Sequence, residues 1–235
     1  MADEISECDG NGLQPAGADQ LKQPTLAGRI DGLRGMAWAY AVLLHTGYSA
    51  SGASKRFSAT PAGDVEINNS KLMYQYLRGD RAPTRGPRGR YRFDLVAAVD
   101  SHHTGHNATR WLDHPFWTIF DANTSSRELE PFLDPETLDP VIGQYWLDDE
   151  IPPDGAEVSQ LEYALKFFDF DGYIYLCALL RAANFAGIRA KSGKALHFSL
   201  LEYLTPHASR AEPVFGFIQA PFLQMIRDFH FPTKK

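Results

Sequence analysis

Only two cysteines, Cys8 and Cys177, occur in 235 residues, which excludes a disulfide-stapled scaffold. Cys8 lies in a polar stretch and Cys177 inside an apolar run, so the latter reads as a small buried hydrophobe. Long apolar runs are missing too. The longest strongly apolar stretch, residues 36–44, is far shorter than the ~20 residues that a bilayer-spanning helix needs. The opening MADEISECDGNGLQPAGADQ carries acids and no apolar block, so no secretory signal is expected, and the cytoplasm is the expected location. Also absent are the loops that announce common chemistries: no GxSxG nucleophile elbow, no GxxxxGK[ST] phosphate cradle, no GxGxxG dinucleotide fingerprint. No catalytic residue, metal or cofactor is therefore expected, and an enzyme here would be one without a recognisable motif.

What the chain does have is core-forming material: fifteen Phe, ten Tyr and four Trp within a composition 44% hydrophobic. That is enough for one large domain or two small ones. The spacing of apolar residues predicts a mainly α, multi-helix globular fold. After Pro24, Thr25 is placed to cap a helix whose apolar residues Leu26, Ile30, Leu33, Ala37, Tyr40 and Leu44 recur every three or four positions. Gly47 is its natural stop. Internal Gly28, Gly32 and Gly35 each cost about 1 kcal/mol of helix propensity, unless they serve close packing. A helix-compatible SASGASKRFS follows, then a helix within NNSKLMYQYLRG capped by Asn69 or Ser70 and ended by Gly79. FDLVAAVD suits either helix or strand. Trp111, Leu112, Phe116, Trp117 and Phe120 predict an aromatic cluster. Residues 121–158, punctuated by prolines, read as irregular. Residues 161–186 predict helix with a break at Gly172, and 195–204 and 221–229 predict two more. The resulting division is a mobile leader (1–23), a helix-turn-helix-like half (24–120), an acidic connector (121–160) and an aromatic-rich helical partner or oligomerisation half (161–235).

Charge is unevenly spread. The net charge is -6, yet residues 50–93 hold nine Lys and Arg against three acids, whereas 121–162 hold twelve acids against one base. Such asymmetry suits either a local anion site or docking of one region on the other. Gly47 sits where the turn of a helix-turn-helix would fall, and Ser51, Ser54, Lys55 and Arg56 on the following segment supply donors and positive charge. Downstream, Tyr76, Leu77, Arg78, Gly79, Arg81 and Pro83 stand in YLRGDRAP. This stretch resembles the segment that closes the DNA-binding domain of phage-repressor-like helix-turn-helix regulators, a resemblance confined to residues 26–100. It implies a DNA-binding regulator, with RNA as the other candidate polyanion, and a homo-oligomer or protein partner. Lys55, Arg56, Arg78, Arg81, Arg85 and Arg88 are then the phosphate contacts, and Ser51, Ser54 and Gln75 reach for base edges. Tyr74, Tyr76 and Tyr91 near the arginine-rich loop are placed to stack on unpaired bases.

Two constellations compete. His102, His103 and His106, with His114 beyond, have partial metal-ligand spacing but lack the Glu of HExxH. Asp148, Asp149 and Glu150 offer carboxylates for a divalent ion, or simply a solvated surface. The alternative to a nucleic-acid reader is an assembly component whose acidic and basic regions dock between subunits.

Overall fold

The computed structural model describes residues 25–58, 71–87, 94–102, 106–133, 169–186 and 212–230. Among these residues 76% are helical and no strand occurs, so the protein is a mainly α, multi-helix fold. None of the described helices is long and apolar enough to cross a membrane.

The central element is α1, Leu26–Thr46. Its ends are set locally. The Thr25 hydroxyl accepts from the Gly28 N–H at 3.2 Å, and Gly47 takes φ 69, donating its N–H to Leu43 O, as the cap and stop residues predict. From Ala37 to Val42 only Tyr40 escapes full burial, which makes this stretch the middle of the core. A three-residue turn leads to α2, Ala50–Ser58. Then come α3, Leu72–Leu77, and α4, Leu95–Asp100. The ambiguous FDLVAAVD is thus helical from Leu95, because Asp94 caps it by accepting from the Ala97 N–H at 3.0 Å. The proposed caps Asn69 and Ser70 lie outside the described residues; the residue preceding α3 is Lys71.

After a 3-10 turn, His106–Ala108, short α5 (Arg110–Asp113) runs into a 3-10 helix, Pro115–Phe120. His114 joins them: its Nδ1 accepts from the Phe116 N–H at 3.1 Å. Ser126–Phe132, read from its proline as irregular, is instead a 3-10 helix. Its start is a reciprocal capping box between Ser125 and Glu128, a stronger local signal than Pro131. Helix α6, Phe170–Ala186, contains Gly172 in its first turn rather than being interrupted there, because Asp169 Oδ1 accepts from the Asp171 and Gly172 N–H groups. The last helix, α7, spans Pro213–Phe229, so Pro221 lies inside it rather than at its start. Pro213 sits in the first turn, where no N–H is missed, and the apolar face of Phe215, Ile218, Phe222, Met225 and Ile226 carries the helix through the second proline.

Aromatic packing joins the first and last described helices into one core. The Phe116 ring lies 5.2 Å from Phe215, 5.4 Å from Phe222 and 6.0 Å from Phe170, bringing together the 3-10 helix, α7 and α6. Trp38 meets Tyr76 edge-on at 5.5 Å, and Tyr40 of α1 stacks on Phe217 of α7 at 4.5 Å. Cys177 is buried, as the sequence suggests.

Candidate polyanion surface and its cleft

The basic loop after α3 owes its position to glycines on α1. A Cβ at Gly32 would strike the carbonyl oxygen of Gly79, and one at Gly35 would strike that of Arg81. The glycines that weaken α1 as an isolated helix therefore let residues 79–82 lie directly on its backbone. Farther along, the Gly86 N–H donates to Asp94 Oδ2 at 2.7 Å, while Asp94 Oδ1 caps α4, so one carboxylate holds the loop and starts the helix. Pro83 is buried. Over residues 79–86 the loop is therefore fixed rather than a free basic arm.

Between this loop and the first half of α1 lies a cleft of about 490 Å³, flanked by Asp31 and Arg34 of α1, by Asp80, Arg81 and Arg85 of the loop, and by Asp113 of α5. Arg34 went unnoticed as a site residue. Its Nε donates to Leu112 O at 2.7 Å, its Nη2 donates to the same oxygen, and its Nη1 stands 3.5 Å from Asp31. A sequence signal for it did exist. Gly28, Asp31, Gly32, Arg34 and Gly35 form a face of α1 with no large apolar side chain, as expected where a helix receives backbone instead of core.

The nine expected contact residues fare differently. Lys55 and Arg56 are exposed in the last turn of α2 and enter no ion pair among the described residues. Ser51 is half-buried, as is Gln75. Ser54 is only 3% exposed, because α2 turns Ala53, Ser54 and Phe57 toward the core; its hydroxyl cannot reach a base edge from there. Arg78 is engaged by Asp80, whose Oδ2 accepts from Nε at 3.2 Å and Nη2 at 2.6 Å, and this hydrogen bond raises the arginine's pKa further. Arg85 pairs with Asp113. Arg81 has no carboxylate partner among the described residues; its guanidinium lies over the Tyr76 ring, 5.7 Å from the centroid. Arg88 lies outside the described residues, as does Tyr91. Tyr76 is buried beneath Arg81, with burial raising its pKa, so of the described tyrosines near the loop only Tyr74 presents an exposed ring.

Among the described residues, His102 and His114 sit in separate aromatic surroundings. His102 packs its ring against Tyr48 and Phe57 at 5.9 and 5.6 Å, whereas His114 stacks on Trp111 at 5.8 Å, and burial lowers its pKa. His103, the side chain of His106 and the carboxylates at 148–150 lie outside the described residues, and among those described no group of three or more His, Cys, Asp or Glu is placed to hold a metal.

No family model, no curated protein and no solved structure matches this chain.

Proposed function

We propose that this chain is a nucleic-acid-binding regulatory protein, DNA being the expected ligand, with Lys55, Arg56 and Arg81 as its phosphate contacts. One observation carries the reading: α2 follows α1 across a three-residue turn beginning at Gly47, buries one side through Ala53, Ser54 and Phe57, and leaves Lys55 and Arg56 exposed with no carboxylate on them among the described residues. A helix braced from behind with cations on its open face is the arrangement by which helix-turn-helix proteins approach the duplex. Ser51, beside these cations in sequence, and Gln75 are the remaining candidates for a base contact, while Arg78 and Arg85 contribute little because their charges are already answered.

A gel shift on labelled duplex DNA and on RNA, at about 50 and about 200 mM salt, tests this reading. Affinity should fall steeply with salt, and the Lys55→Glu/Arg56→Glu variant should abolish binding without changing the melting temperature. Arg78→Gln and Arg85→Gln should bind nearly as wild type. No shift at the lower salt removes the proposal.

A second reading, assembly through protein contacts, is favoured by Leu44 and Phe217, which are 47% and 48% exposed on the two helices that meet at the Tyr40–Phe217 stack. Sedimentation of Phe217→Ser against wild type decides it: a monomer at all concentrations for both proteins rules out self-assembly through this face.

A further inference from the structure

We infer that the cleft between α1 and residues 80–85 binds a small zwitterion, a free amino acid or short peptide bearing both a carboxylate and an ammonium group. The site shares Arg81 with the nucleic-acid reading but does not rest on it. At about 490 Å³ the cleft falls within the size range of small-molecule sites. Three arginines and three aspartates border it, and their mutual pairing settles which charges stay open. Asp80 is occupied by Arg78 outside the cleft, and Asp113 by Arg85. Arg34 commits Nε and Nη2 to the carbonyl of Leu112. A carbonyl does not cancel the Arg34 charge, so among the described residues what is left is Arg81 and the loose Arg34–Asp31 pair. Among the described residues Arg81 faces only the Tyr76 ring, and Asp31, 59% exposed, has a single long contact of 3.5 Å with Arg34 Nη1.

A dianion such as phosphate would gain Arg81 but face the loosely paired carboxylate of Asp31. A dipolar ligand answers both open groups, its carboxylate accepting from the Arg81 guanidinium and its ammonium donating to Asp31. The frame is also set in advance. Arg34 is tied down by two hydrogen bonds, and the Arg81–Ala82 backbone is seated against Gly35, so little ordering is required when a ligand arrives.

Calorimetric titration of the full chain with glycine, diglycine and triglycine, whose charge separations increase, provides the test, with N-acetylated and amidated counterparts and inorganic phosphate as controls. One member of the series should bind at least about tenfold more tightly than either of its blocked counterparts. Arg81→Gln and Asp31→Asn should each weaken that binding by on the order of tenfold. Both side chains are exposed, so both variants should keep the wild-type melting temperature, and Lys55→Glu/Arg56→Glu should bind the peptide as wild type does. The proposal is overturned if no member binds, if a blocked peptide binds equally well, if phosphate outcompetes the zwitterions, or if both cleft variants titrate like wild type. A positive titration without a gel shift leaves the cleft standing and removes only the nucleic-acid reading.

Discussion

His230 follows α7 directly, with its ring 5.4 Å from that of Phe120 and the Arg181 cation close by. Burial, helped by Arg181, lowers its pKa to about 4, against 6.5 for a free imidazole. The unfolded chain therefore binds the extra proton over the window between those values, and the folded chain does not. Stability from this residue is fully present above about pH 6.5 and declines as pH falls toward 4, by about 3 kcal/mol across the window. Urea unfolding at pH 7, 5.5 and 4 should show that decline, and His230→Gln should flatten it relative to wild type. Parallel pH profiles for the two proteins would show that the imidazole is not the titrating group. At the same scale Ser54 shows what a sequence pattern hides. Its neighbours Lys55 and Arg56 suggest an open polar face, but the direction a serine points on a nine-residue helix depends on where α3 and α4 pack, and no local spacing encodes that.

Among the elements, α1 and its glycines allow a sharp contrast. Gly35→Ala drives a methyl group into backbone that has no side chain to yield, so residues 79–82 must move. The expected loss is about 1–3 kcal/mol, measured by thermal or denaturant unfolding. Gly28 lies on the same face, but its Cβ would meet only the Thr25 hydroxyl at ordinary contact distance, so Gly28→Ala should hold stability or raise it by up to about 1 kcal/mol. Equal effects from the two changes would show that the loop is not seated as described. Those features of the elements that rest on neighbours in sequence were readable in advance: the Thr25 cap, the Gly47 stop, the aromatic run at 111–120 and the helical character of α6. The charges of the loop were not. Whether Arg85 is available depends on Asp113, 28 positions away, and Arg34 is held by a carbonyl 78 positions distant. Pairings of that range are set by tertiary packing, to which hydrophobic periodicity is blind.

In the molecule as a whole, α1 and α7 share one core, and the Arg110–Glu212 ion pair at 2.9 Å fastens α5 to the residue preceding α7. Phe215 is the aromatic hinge of this arrangement, contacting Trp111, Phe116, Phe170, Tyr173 and Phe222. Truncating it to Ala should cost about 3–5 kcal/mol, and hydrogen exchange should speed up in α1 as well as in α7. Faster exchange confined to α7 would show that the two helices open independently.

The stack of Tyr40 on Phe217 joins rings about 180 residues apart, a separation that makes closure slow compared with local helix formation. Ribosomes add roughly 5–20 residues per second, so the first helix emerges on the order of ten seconds or more before its partner exists. Throughout that interval the side of α1 that carries Tyr40 lacks its cover, whereas Trp38 can already meet Tyr76. A copy stalled before α7 is made would present the same uncovered surface to any neighbour it met.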